Sequence, residues 1–212
     1  SAECLDAFMV ALQGVPEGSQ VLIASRETQP HLARMRVSGA VYDLQASDLR
    51  MSGDEAAEIF AREGGSDSRH VIASAVERSE GWPAGIFLSA LTSMDTPTTQ
   101  VSGNDGPIAD YLYRECLAGL RPELQDFLIE SAILDQMTPE LCDFVRDTTT
   151  SRDMLHTTQS LGLFLTAVDG RQQWYRYHAL FREFLLREGE RRDHRRVRAL
   201  HVRAADWFEA HG

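Results

Sequence analysis

The stretch LFLTAVDGRQQWYRYHALF, residues 163–181, decides how the chain is read. Leu163, Phe164, Leu165 and Val168 form a short apolar strand, Asp169-Gly170 is a turn dipeptide, and Trp174, Tyr175, Arg176 and Tyr177 make a returning strand of strand-favouring residues. The hairpin runs directly into a helix carrying Leu180, Phe181, Phe184 and Leu185 at helical spacing. Upstream, four helices are expected, at about 108–118, 122–133, 139–147 and 151–161. Pro122 stands in the first turn of the second, Thr138 and Pro139 open the third, and Gly162 stops the fourth. Three helices followed by a hairpin is the winged-helix order, a helix-turn-helix variant.

Toward the amino terminus the pattern changes. Residues 3–13 are expected to be helical, Gly14, Pro16 and Gly18 break the pattern, and Val21, Leu22, Ile23 and Ala24 read as a buried strand. A second short strand, Val41 to Leu44, follows the segment His31 to Arg36, and Ser52 with Glu55 makes a capping box for a helix to about Arg62. Alternation of this kind is α/β logic, but two strands cannot close a stable sheet, so further strands are expected before Ser1. From Asp67 the period is helical: Val71, Ile72, Ala75 and Val76 on one helix, then Pro83 opening another with Ile86, Phe87, Ala90 and Leu91. Residues 95–107, rich in Thr, Ser, Gly, Pro and Asn, read as a linker, and 191–211 as an amphipathic helix with Leu200, Ala204, Trp207 and Phe208. The expected fold class is mainly α with a small α/β remnant.

The 212 residues are 43% hydrophobic and 25% charged, an ordinary globular composition. Their apolar runs fall far short of the roughly 20 residues a membrane span needs, so no membrane partner and a cytoplasmic location are expected. A formal net charge of -11 argues against broad nucleic-acid binding. All 21 basic residues are arginine, which excludes a P-loop lysine and a lysine Schiff base within the chain. Cys4, Cys116 and Cys142 lack ligand spacing and read as buried reduced thiols; no metal site is expected. A nucleophile elbow and HExxH are missing, so no catalytic residue is expected either. Residues 109–161 carry ten acids against four arginines, and the presumptive recognition helix offers Arg152 and His156 against Asp153. Phosphate positioning needs a positive surface, so direct DNA binding by this segment is not expected. Residues 187–203 carry seven arginines against three acids; they would grip phosphate, RNA or an acidic partner, or form a solvated face with local ion pairs, the usual fate of a charge run.

Three positions are candidate ligand contacts. Arg26 follows the first expected strand at its carboxyl end, where ligands of open α/β sheets bind; the alternative is a surface arginine paired with Glu27 or Glu3. Gly81-Trp82-Pro83 lies between two helices, where the proline ring can pack on a flat base, or can simply start a helix beside a core tryptophan. His178 stands at a strand-to-helix junction, suited to phosphate or to helix capping.

Taken together, Leu22-Ile23-Ala24-Ser25-Arg26, Ser79-Glu80-Gly81-Trp82-Pro83-Ala84-Gly85 and Trp174-Tyr175-Arg176-Tyr177-His178-Ala179-Leu180-Phe181 resemble the large ATP-binding, maltose-activator-like regulators of the LuxR type, members of the signal-transduction ATPases with numerous domains (STAND). The resemblance implies the C-terminal part of a P-loop ATPase core over 1–66, a helical lid over 67–94, the linker 95–107, a winged helix over 108–188 and the start of a helical-repeat array, similar to tetratricopeptide repeats, over 189–212. It implies a nucleotide, ATP or ADP with Mg²⁺ in the full-length protein, held between these pieces. Arg26 matches the sensor arginine, Pro83 the proline of the Gly-x-Pro motif near adenine with Gly81 as its glycine, and His178 the winged-helix histidine that reaches the β-phosphate of ADP. Tyr177 and Ala179 replace the neighbours of that histidine in the Met-His-Asp triplet of plant and animal relatives, so the aspartate's role does not carry over. The implied function is a central regulatory segment coupling ADP/ATP state to opening and oligomerisation of a slow ATPase switch, with no catalysis by the segment itself and no tight nucleotide binding by it alone. Implied partners are an upstream P-loop half of the same chain, a downstream helical-repeat sensor, a LuxR-type DNA-binding domain, and further copies in the activated state. The alternatives are a winged-helix DNA-binding module and a protein-interaction segment fused to a kinase or cyclase.

Overall fold

Ser52 shows how directly some of this sequence folds. Its hydroxyl accepts from the Glu55 N–H while the Glu55 carboxylate accepts from the Ser52 N–H at 2.8 Å, so two backbone donors at the start of a helix are satisfied reciprocally. The computed structural model describes residues 10–12, 14–16, 18–25, 32–95, 102–104, 106–169 and 173–211. They fall into two compact units, residues 1–43 and 44–212.

In the first unit, residues 10–12 are helical and a short helix α1 spans Ala33–Val37. Arg36 forks onto Asp43 at 2.7 and 3.2 Å just beyond it. The rest of the helix expected over 3–13 lies outside the described residues. The strands expected at Val21–Ala24 and Val41–Leu44 do not form: neither segment enters a ladder, and Leu22 is 86% and Tyr42 83% exposed. A strand exists only through hydrogen bonds to a neighbour, and an apolar run cannot supply that neighbour by itself.

The second unit opens with three helices, α2 (Gly53–Glu63), α3 (Arg69–Arg78) and α4 (Pro83–Asp95). They pack on one another through Ala56, Phe60, Ile72, Ala75, Ile86 and Ala90. α2 packs against α4, so residues on both sides of position 66 share this bundle. Next come α5 (Gly106–Leu112), widening into a π-helical turn at Tyr113–Leu117, then α6 (Pro122–Ser131), α7 (Pro139–Arg146) and α8 (Ser151–Ser160). Pro122 and Pro139 stand at the first helical positions, where a missing N–H costs nothing, and Thr138 caps α7 by accepting from Leu141.

The hairpin pairs β1 (Leu165–Ala167) antiparallel with β2 (Tyr175–Tyr177), Leu165 facing Tyr177 and Ala167 facing Tyr175. Of its turn, Gly170 lies outside the described residues. Met137 adds an isolated antiparallel bridge to β2, exchanging hydrogen bonds of 2.9 Å in both directions with Tyr175. The wing is thereby fixed to the α6–α7 connection. Phe127, Leu128, Leu141, Leu155, Tyr177, Leu180 and Phe181 close the core under it. Each such side chain contributes about 1.5–3 kcal/mol by leaving water.

The last element, α9 (Ala179–His211), is interrupted at Asp193, whose backbone is extended (φ -158, ψ 89). Its carboxylate accepts from the Arg195 and Arg196 N–H groups at 3.0 Å and so caps a new helical start. The second half buries Val197, Leu200 and Ala204, sets Trp207 against Phe144 at 5.3 Å, and is moored by Arg196 to Glu130 and Arg203 to the Phe144 carbonyl. Most of the arginine run is spent on such local pairs: Glu188, nearly buried, takes Arg191 at 2.7 Å and Arg192 at 2.8 Å. No helix among the described residues is long and apolar enough to cross a membrane.

Candidate functional site

The chain reverses between α3 and α4 through two successive left-handed residues, Glu80 (φ 50) and Gly81 (φ 77). Glycine is required at the second. A Cβ there would stand 3.0 Å from Arg50 Cβ and 3.1 Å from the Met51 carbonyl oxygen, and the Gly81 carbonyl accepts from the Met51 N–H at 2.9 Å. The buried Ser79 carbonyl accepts from the Trp82 N–H at 2.8 Å, which closes the turn, and exposed Pro83 then starts α4.

The edge of the winged helix meets this turn. The His178 N–H donates to the Phe164 carbonyl at 2.9 Å, tying the end of β2 to the start of β1. The ring turns away from the hairpin to put Nε2 2.6 Å from the Ser79 carbonyl, ninety-nine residues distant in sequence. A carbonyl only accepts, so Nε2 carries the proton and Nδ1 of the neutral ring is an unprotonated acceptor, buried and without a partner. Phe164 packs against the imidazole at 5.7 Å and Trp82 at 6.1 Å, and these two rings meet edge to face at 4.9 Å. Burial pushes the His178 pKa below its ordinary value; the Ser79 bond and the Glu80 carboxylate oppose this, while Arg176 and Arg50 add to it.

Glu80 is the most connected group here. Its two oxygens receive Arg176 Nη1 and Nη2 at 2.8 Å each, and one also accepts from the Ala179 N–H at 3.2 Å, at the amino end of α9. The Arg176 fork, with the Ala179 donor and, once protonated in acid, His178 assisting, outweighs burial and lowers the Glu80 pKa to about 2. On the flank, Arg78 pairs with Glu183, whose second oxygen accepts from Ser102 Oγ and the Gly103 N–H at 3.0 Å each. Beside these groups lies an open cleft of about 310 Å³ lined by Ser74, Glu77, Arg78 and Ala179.

Of the residues singled out by sequence, Gly81 and His178 both border Ser79, and Pro83 follows two residues after Gly81 with its ring exposed. Arg26 lies outside the described residues. Sequence reasoning passed over Glu80 and Arg176, although both stand in the quoted motifs; the available signal was their opposite charge beside two residues already chosen. Among the described residues, Arg78 Nε and His178 Nδ1 are buried nitrogens without partners, and an imidazole bearing both protons would offer a second donor. Groups of His, Cys, Asp and Glu able to hold a metal ion do not occur among the described residues.

Helices α6 to α8, the β1–β2 wing and the first half of α9 define a winged-helix module with the α2–α4 helices docked on its edge. Residues 113–197 match the model of the MalT winged helix domain, and similarity to MalT-like proteins extends over the rest of the chain. It is 31% identical over 187 residues to the serine/threonine-protein kinase PknK of Mycobacterium tuberculosis, covering 85% of this chain and 17% of that protein. It is 27% identical over 212 residues to the HTH-type transcriptional regulator MalT of Vibrio campbellii and 26% over 215 residues to that of Vibrio cholerae, covering 96% and 97% of this chain. In both Vibrio proteins the match spans 24% of their length, so the chain corresponds to a minor part of much larger relatives.

Proposed function

We propose that the chain is a central regulatory segment of an ATP-dependent, signal-responsive transcriptional regulator, in which the ADP or ATP state sets whether the α3–α4 lid and the winged helix stay together. On this reading 1–66 completes a nucleotide-binding core, 67–94 is its lid, 108–188 the winged helix, and 189–212 the start of a helical-repeat sensor. The observation that carries it is the meeting of His178 with Ser79 at 2.6 Å, which brings the histidine to the Gly81–Pro83 turn. Pro83 would pack on the base, while Arg78 and His178 would hold phosphate oxygens beside the start of α9. A nucleotide that contacts the closed arrangement better than the open one shifts the population by that difference in affinity. Relatives named as a kinase and as transcriptional regulators share the segment, which supports an output chosen outside it.

The test is ADP binding to the full-length protein by titration calorimetry. His178→Ala and Pro83→Ala are each expected to weaken affinity by about tenfold, the worth of one charge-assisted or stacking contact. Unchanged affinity in both would reduce the segment to an interaction scaffold. A DNA-reading role is less favoured, since Arg152 on α8 is engaged by Glu140 at 2.8 Å and the surrounding surface is acidic.

A further inference from the structure

Glu80 adopts a left-handed backbone that L-residues other than Asn and Asp seldom take, immediately before a glycine that takes it freely. A turn needing only that conformation would be better served by glycine at both positions, so the side chain must return something for the strain. Its carboxylate gathers three groups of the winged-helix edge: the two nitrogens of the Arg176 fork and the Ala179 N–H. His178, lying between Arg176 and Ala179 in sequence, is thereby held against the Ser79 carbonyl. An exposed ion pair would be worth little, but this carboxylate is 19% exposed, its geometry is bidentate, and it also caps a helix start.

The geometry points to Glu80 as a positioning residue: it clasps the winged-helix edge onto the α3–α4 turn and keeps His178 buried, so that this one carboxylate sets how readily the two parts separate. The inference concerns the chain's own closure and stands whether or not a nucleotide binds, so it can fail independently of the switch reading.

The decisive variant is Glu80→Gly, with Glu80→Gln as the graded one, both in the 212-residue chain. Glycine relieves the backbone strain and deletes the clasp, so a purely conformational role predicts an unchanged or tighter turn. The clasp predicts release. Amide exchange at Ala179 should quicken about tenfold. The His178 ring, followed by NMR, should titrate back up near its ordinary value of about 6.5 as it gains water. Leu128 in α6 should keep its protection, and Glu80→Gln, which can still accept from Arg176 and Ala179, should fall between. The charges facing His178 are Glu80, Arg176 and Arg50. If Glu80 acted on the ring only as a charge, its removal would drive the His178 pKa further down, and the proposal would be overturned. It would equally be overturned by an Ala179 amide as protected as before, or by loss of Leu128 protection, which would make Glu80 a determinant of the whole fold.

Discussion

Gly103 lies so close to the first turn of α9 that a Cβ built on it would stand 1.9 Å from the Leu180 carbonyl oxygen and 3.1 Å from its Cα. The obstruction is helix backbone, which cannot swing aside as a side chain can. Gly103→Ala must lift the segment 102–104 off the helix and break the bonds from Ser102 and Gly103 to Glu183. A loss of about 1–3 kcal/mol is expected, as for other overpacked sites. Urea unfolding measures it; a midpoint equal to the parent's would mean that this approach does not occur.

Tyr177 and Ser131 share a hydrogen bond of 2.8 Å inside the core, and the Ser131 hydroxyl also reaches the Phe127 carbonyl at 2.6 Å. Removing the two partners is therefore unequal. Tyr177→Phe leaves Ser131 with a carbonyl and should cost about 1 kcal/mol, whereas Ser131→Ala strands a buried phenol and should cost more, about 1–3 kcal/mol. The order of the two denaturation midpoints decides the point.

The partly buried His178 makes stability depend on pH with a definite sign. Folded, the ring resists protonation; unfolded, it takes a proton at its ordinary value of about 6.5. As pH falls through that value toward the lowered folded pKa, the unfolded chain binds more protons and stability declines; above it the contribution is complete. Chemical unfolding at about pH 7.5 and about 5.5 should show the decline in the parent and a flatter response in His178→Gln, whose amide can still donate to Ser79.

Glu80 governs a separate, more acidic window. Its pKa falls from 4.5 to about 2 on folding, so its contribution is complete above the unfolded value and lost as pH drops from there toward the folded one. Acid unfolding of Glu80→Gln should lack that limb, while the His178 limb is reduced but not lost, since the amide holds the clasp only in part.

Ser52→Ala removes half of a reciprocal cap and should weaken α2 by about 1 kcal/mol. Amide exchange at Ala56, whose N–H bonds the Ser52 carbonyl at 3.0 Å, reports it without interference from the winged helix.

The parts of the fold legible in the sequence are those whose cause is local. Pro122, Thr138 with Pro139, and Ser52 with Glu55 announce helix starts within four residues, and the aromatic run Trp174 to Tyr177 announces its strand. Val21 to Ala24 and Val41 to Leu44 have strand composition too, yet composition cannot name the neighbour that would complete a ladder. Asp193 marks a boundary that composition left vague: the helix expected from Leu180 and the one expected over 191–211 meet at its extended backbone, where its carboxylate caps the second. At the site, Gly81, Pro83 and His178 stand out individually by residue type. Their relation to Ser79, Glu80 and Arg176 does not, because it depends on contacts across nearly a hundred positions and on a left-handed backbone at a residue that gives no hint of it. The arginine run resolved toward its plainer reading, with Glu188, Glu130 and Asp147 absorbing much of the charge.

The break at Asp193 does not leave the far length of α9 hanging. Arg196 ties it to Glu130 on α6, Arg203 to the end of α7, and Trp207 lies on Phe144, so turning about residue 193 would have to tear all three loose. The length of α9 up to His211 is thus carried as a rigid outrigger, and a torque applied to it is felt in the floor of the winged helix instead of being dissipated in a slack tether.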